Sequence, residues 1–143
     1  MTGATPNEQE MHERELVRAF FLPQRKERYL EMLLKPRKRA SLTEQLGHFK
    51  HLDYRYAVPI RSNQQHPKEI LTLLKAKHAP DLCWAISEDS ELDGKEHPLS
   101  EALKSVVGYG MGTFLSCLPG RLAYFEDEDQ RWILERKAKV EAR

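Results

Sequence analysis

Residues 108–126 read Gly108-Tyr-Gly-Met-Gly-Thr-Phe-Leu-Ser-Cys-Leu-Pro-Gly-Arg-Leu-Ala-Tyr-Phe-Glu126 and hold four of the seven glycines of the chain. Glycine clusters mark backbone that turns sharply or approaches another group closely. The rest of this segment consists of two apolar runs separated by Pro119-Gly120, which is a turn signal. We therefore predict strands over residues 113–118 and 121–126. A third strand is expected over residues 131–135, after the polar turn at 127–130.

Further towards the N-terminus, the pattern alternates between strands and helices. Residues 82–86 form a short apolar run bounded by charges, as expected of a core strand. Pro67 and Pro98 each stand at a favourable first helical position, so we predict a helix after each of them. Gly108 is expected to end the second of these helices. Another strand is predicted over residues 54–60.

The first third of the chain reads as helical. Residues 8–22 carry an acidic start and an apolar stripe, and residues 24–34 carry a second stripe. Ser41 and Glu44 match a capping box, which predicts a third helix from Ser41 to about residue 49. The expected fold class is α+β, with N-terminal helices packed on a small, mostly antiparallel sheet and two further helices. We expect one domain over residues 1–143, with a disordered start at 1–7, a helical segment at 8–50 and a sheet segment at 54–136.

Composition restricts the class of protein only broadly. The chain has 143 residues, of which 31% are charged and 40% hydrophobic, a mean hydropathy of −0.67 and a net charge of +1. This balance gives no overall field that would select a nucleic acid or a membrane. No apolar run approaches the ~20 residues of a membrane helix, and the polar start does not resemble a signal peptide. A cytoplasmic location without membrane contact is expected.

Charge is nevertheless polarised along the chain. Residues 24–39 carry seven cations against two carboxylates, a net charge of +5, whereas residues 86–101 carry a net charge of −5. Such a basic run can contact phosphates, or it can be a solvated helix end that pairs with the acidic segment of the same chain. The candidate nucleic-acid-binding residues are Arg25, Lys26, Arg28, Lys35, Arg37, Lys38 and Arg39.

The glycine segment is the candidate ligand site. The backbone amides of Gly108, Gly110 and Gly112 could cradle a ligand or an oxyanion, although the order helix-then-strand does not fit a dinucleotide fingerprint. The alternative is a helix cap followed by a tight connection. Ser116 and Cys117 are candidate nucleophiles, and each would need a base within hydrogen-bond reach. Arg121 is the candidate for orienting an anion.

Two patterns partly match metal sites. His48 and His51 could lie on one helical face, but no carboxylate or thiol apart from Asp53 follows at a recognised spacing. The loop from Asp89 to Gly94 matches the first half of a calcium-binding loop, and its closing glutamate is displaced by one residue. We predict no metal and no cofactor.

Three classes of function remain open. The first is a non-catalytic protein-interaction or regulatory module, with a homodimer as one form, which an exposed apolar stripe on residues 11–22 would support. The second is nucleic-acid binding through residues 24–39. The third is a small enzyme with its site in residues 108–121. An enzyme is the less expected outcome, because no catalytic motif is complete.

Overall fold

A six-stranded antiparallel sheet forms the centre of the molecule, in a computed structural model that describes residues 6–137. The strands are β1 (Ala57–Pro59), β2 (Leu82–Ser87), β3 (Glu96–Pro98), β4 (Thr113–Leu118), β5 (Leu122–Glu126) and β6 (Arg131–Glu135). Their order across the sheet is β1-β6-β5-β4-β2-β3. The three consecutive strands β4, β5 and β6 are neighbours, so the C-terminal meander predicted from residues 113–135 forms the middle of the sheet.

Within residues 6–137, five α-helices pack around this sheet. They are α1 (Pro6–Phe20), α2 (Lys26–Leu34), α3 (Pro36–Thr43), α4 (Pro67–Ala76) and α5 (Leu99–Val106). The α+β class and the antiparallel sheet are therefore confirmed. Disorder was predicted over residues 1–7; residues 1–5 lie outside the described residues, whereas residues 6 and 7 already belong to α1.

Alternation along β4 divides the core between the two faces of the sheet. Phe114 faces the N-terminal helices, together with Phe125 of β5, and these two rings stack with centroids 4.2 Å apart. Leu115 and Cys117 face α4 and α5. This division follows from the two-residue period of a strand. Each fully buried Phe or Leu contributes about 1.5–3 kcal/mol to stability through the apolar surface it removes from water.

An aromatic cluster fixes the N-terminal helices onto the sheet. Phe21 packs against Tyr29, Phe49 and Phe114, with ring centroids 4.7–5.4 Å apart. Phe20 and Phe21 are both buried in this core. The apolar stripe of residues 11–22 is therefore mostly buried within the chain, although Met11 at its start is exposed.

The start of the third helix was predicted wrongly. Residues 36–43 form α3, which begins at Pro36, so Ser41 lies inside the helix and the predicted capping box does not form. The reason is that proline lacks a backbone N–H and has a fixed φ, which suits the first helical position. Residues 54–56 also differ from the predicted strand: Asp53 accepts a hydrogen bond from the amide of Arg55 and bends them into a 3-10 turn.

No helix within residues 6–137 combines the length and the apolar character that crossing a bilayer requires.

Candidate functional site

The glycine segment is folded around the side chain of Glu126. The amide of Gly108 donates to both carboxylate oxygens at 3.1 Å, and the amide of Gly110 donates to Oε2 at 2.7 Å. Both glycines have a positive φ, 91° and 72°, which side-chain-bearing residues rarely adopt. Two of the amides predicted to cradle a ligand therefore bind a carboxylate of the chain itself.

Glu126 is completely buried, and its charge is balanced by neighbours. The Tyr124 hydroxyl donates to Oε1 at 2.7 Å, and Nε of Arg131 lies 3.3 Å from the same oxygen. Burial, followed by the adjacent carboxylate, raises the pKa of Tyr124 far above its ordinary value, so the hydroxyl remains a donor. A buried carboxylate with this many donors is a structural anchor.

Gly112 is held even more tightly. Its amide donates to Oε1 of Glu88 at 2.6 Å. A Cβ at this position would lie 2.1 Å from the carbonyl carbon of Leu46 and 2.3 Å from the nitrogen of Gly47, so only glycine fits. Residues 108–112, named here the Tyr109 loop, are thus fastened to the sheet and to the N-terminal layer at three points.

The two residues between these glycines point outwards. Tyr109 is 69% exposed and Met111 is 41% exposed, so both are exposed large apolar residues. Neither residue was predicted as a site residue, because the backbone amides of the glycines were expected to contact the ligand. The sequence feature that indicates them is the alternation of large apolar residues with glycines. Because the glycine backbone faces inward here, no helical or strand period buries the side chains between the glycines.

An acidic turn flanks the Tyr109 loop. Residues 127–130 connect β5 to β6, and the amide of Glu128 donates to the carbonyl of Gly47 at 3.1 Å. Gly110 lies against the backbone of Glu128. Asp127 caps this turn by accepting from two of its amides, and Glu128 contacts Nδ1 of His48 at 3.0 Å. The exposed apolar side chains therefore stand beside a negative rim.

The candidate nucleophiles lie on opposite faces of the sheet. Ser116 is 3% exposed and shares a 2.8 Å hydrogen bond with Nδ1 of His12. Burial lowers the pKa of His12, with an opposing contribution from Glu8, so its imidazole is neutral near pH 7. Cys117 faces α4 and α5, where burial raises the pKa of its thiol strongly.

Arg121 is separated from the glycine segment by the whole of β4. The loop precedes Thr113, whereas Arg121 lies in the turn beyond Leu118 at the other end of the strand. Six strand residues span about 16 Å at ~3.3 Å per residue. The three parts of the predicted enzyme site, namely glycine amides, nucleophile and Arg121, are therefore not brought together.

The cations of the basic segment, residues 24–39, differ in whether they contact carboxylates of the chain. Arg39 forms bidentate pairs with Glu13, at 2.7 and 2.8 Å, and with Asp93, at 2.8 and 2.9 Å. Burial by itself would lower the pKa of Arg39, but its hydrogen bonds to Asp93 and Glu13 raise it, so the charge is retained. Lys35 and Lys38 approach the carboxylate of Glu31 at 3.6 and 3.7 Å, and Arg37 is exposed.

The three remaining cations, Arg25, Lys26 and Arg28, lie at the start of α2, and Arg25 and Arg28 act on His51 together with Lys50. Nδ1 of His51 is bonded to the Tyr29 hydroxyl at 2.5 Å, while His48 contacts Glu128. The two histidines thus have different partners. Within residues 6–137, no group of three or more His, Cys, Asp or Glu side chains has an arrangement that could hold a metal ion.

No protein-family model, curated protein or solved structure matches this chain.

Proposed function

We propose that this protein is a non-catalytic interaction module that binds a partner protein through the Tyr109 loop. The observation that carries the proposal is the exposure of Tyr109 and Met111 on a backbone whose flanking amides are all bound. Tyrosine and methionine are enriched at protein interfaces. An anchor that is already rigid loses little conformational entropy when it binds.

The chemistry of the partner follows from the surroundings of the loop. Asp127, Glu128 and Asp129 give the rim a negative charge, and the apolar side chains supply the centre. Aromatic anchors commonly dominate binding energy, while rim charges govern association rate and choice of partner. The expected partner therefore has an apolar recess bordered by lysine or arginine side chains.

The experiment places a photo-crosslinking amino acid at position 109, with position 58 as the matched control. Val58 is also an exposed apolar residue, but it lies on the edge strand β1. We expect a defined partner to crosslink from position 109 and not from position 58. Equal capture from both positions would contradict the proposal.

The captured protein is then purified and its affinity measured directly. The double variant Tyr109→Ser with Met111→Ser should weaken binding by at least about tenfold, the usual effect of losing an aromatic anchor. The control, Val58→Ser with Leu82→Ser, removes two exposed apolar side chains elsewhere and should leave the affinity unchanged. A dimer that dissociates only in the Tyr109 variant would instead identify a second copy of this chain as the partner.

A further inference from the structure

A second surface of different chemistry lies on the N-terminal layer and is named here the His51 face: Arg25, Lys26, Arg28, Lys50 and His51. Two backbone hydrogen bonds determine the position of His51 in this face. The amide of Leu22 donates to the carbonyl of His51 at 2.8 Å, and the amide of Asp53 donates to the carbonyl of Phe20 at 2.7 Å. This pairing aligns residues 51–53 with residues 20–22, immediately before the start of α2.

The cations of this face lie close to the histidine. Burial is the largest cause that lowers the pKa of His51, and the positive charges of Arg25, Arg28 and Lys50 lower it further. Within residues 6–137, Arg25, Lys26, Arg28 and Lys50 make no ion pair with a carboxylate, in contrast to Lys35, Lys38 and Arg39. The acidic residues nearby in the chain are Glu27, Glu44 and Asp53, and Asp53 is bound by Arg55 at 2.8 and 3.0 Å.

The histidine is held in one orientation. The Tyr29 ring is packed between Phe21 and Phe49, and its hydroxyl lies 2.5 Å from Nδ1 of His51. Burial raises the pKa of Tyr29, so its hydroxyl keeps its proton, and the direction of the hydrogen bond depends on the tautomer of His51. In the neutral tautomer whose Nδ1 accepts from Tyr29, the ring proton is on Nε2, where it can be donated to an anion.

An exposed aromatic ring follows three residues after His51. Tyr54 is 50% exposed, and its ring packs on Trp132 with centroids 5.2 Å apart. Lys26 lies near enough to influence the neighbouring Asp53, whereas the charge that influences the Tyr54 hydroxyl is that of Asp127. Phosphate-binding cations beside an exposed aromatic ring are the combination used to bind single-stranded nucleic acid, because phosphates take the charges and bases stack on the ring.

We propose that the His51 face binds single-stranded nucleic acid, with Arg25, Arg28 and Lys50 on the phosphodiester backbone and Tyr54 stacked on a base. For three phosphate contacts, the logarithm of the binding constant should decrease linearly with the logarithm of the salt concentration, with a slope of about −2. Raising the salt from about 50 to 200 mM should then weaken binding by roughly 20-fold.

Fluorescence anisotropy with labelled DNA and RNA strands of about 12 nucleotides tests the proposal. The variant Arg25→Glu with Arg28→Glu should lose binding at least tenfold. The matched control, Lys35→Glu with Lys38→Glu, makes the same change of net charge at the other end of α2 and in the first turn of α3. The affinity of this control for the labelled strands should stay within about threefold of that of the unmodified protein. Tyr54→Ala should weaken binding by roughly five- to 160-fold, which corresponds to the ~1–3 kcal/mol of one stacked base.

Three results would overturn the inference. One is that the unmodified protein binds neither strand at the lower salt concentration. Another is that both double variants weaken binding equally, because that would indicate attraction by net charge alone. The third is equal or tighter binding to duplex DNA or to vesicles of anionic phospholipid, which would assign the face to another polyanion. Circular dichroism spectra of all variants verify that they are folded.

Discussion

The guanidinium of Arg39 lies 2.8 and 2.9 Å from the two carboxylate oxygens of Asp93, 54 residues further along the chain. The basic and acidic segments therefore meet at a buried contact, to which Glu13 of α1 also contributes. Removing one member of such a network leaves the others charged without compensation. This contact joins α1, α3 and the loop that follows β2.

The first prediction concerns this network. Arg39→Ala should lower the free energy of unfolding by about 3–5 kcal/mol, because it leaves Glu13 and Asp93 without their cation in a largely buried setting. Chemical denaturation measures the loss. The control is Lys38→Ala, one residue earlier, whose partner Glu31 is exposed; its effect should stay within about 0.5 kcal/mol. Equal losses in the two variants would show that the network does not stabilise the fold.

The second prediction separates two reasons for glycine in the Tyr109 loop. Gly112→Ala should destabilise by about 3 kcal/mol or more, because its Cβ would meet the backbone of Leu46 and Gly47. Gly110→Ala should cost only about 1–2 kcal/mol, because the added Cβ has room and the penalty is its positive φ. Thermal unfolding compares the two, and the reverse order would contradict the packing described for Gly112.

The sequence predicts the C-terminal half of the fold well. Residues 113–118 and 131–135 are strands with the predicted bounds, and α4 begins at Pro67 as expected. These elements are determined locally, by apolar alternation and by proline or glycine at their ends. The short strand β3 was missed, because three residues at a sheet edge carry no periodic pattern.

The sites were harder to predict because they depend on long-range contacts. The pairing of Ser116 with His12 joins residues 104 positions apart, and no spacing indicates it. The binding of Gly108 and Gly110 to Glu126 is likewise visible only once β4 and β5 are paired. The basic segment could be recognised from composition, but which of its cations are neutralised is decided by the tertiary fold.

The third prediction concerns pH. Burial holds the pKa of His12 below its ordinary value of about 6.5, so the unfolded chain binds this proton more tightly than the folded one. Stability should therefore fall as the pH drops below about 6.5. Urea denaturation at neutral and mildly acidic pH measures this dependence, and His12→Gln should flatten it.

His51 serves as the comparison for this pH dependence. Its pKa is lowered too, by burial and by Arg25, Arg28 and Lys50, so it contributes in the same direction. Because it is less buried than His12, His51→Gln should change the slope less than His12→Gln does. A larger change in the His51 variant would mean that the cations around it, rather than burial of His12, govern acid sensitivity.

The fourth prediction concerns the two cysteines, Cys83 and Cys117, which are both buried beneath α4 and α5. Burial raises the pKa of Cys83 to about 12 and that of Cys117 further, so neither is a thiolate near neutral pH. In the folded protein, neither should react rapidly with a thiol-exchange reagent at about pH 8, and both should react once the chain is unfolded in guanidinium chloride. Tyr109→Cys supplies the control, because a thiol at this exposed position should react at once. Rapid modification of Cys117 in the folded protein would contradict its burial and identify it as a reactive thiol, whereas protection of both cysteines would agree with their packing in the core.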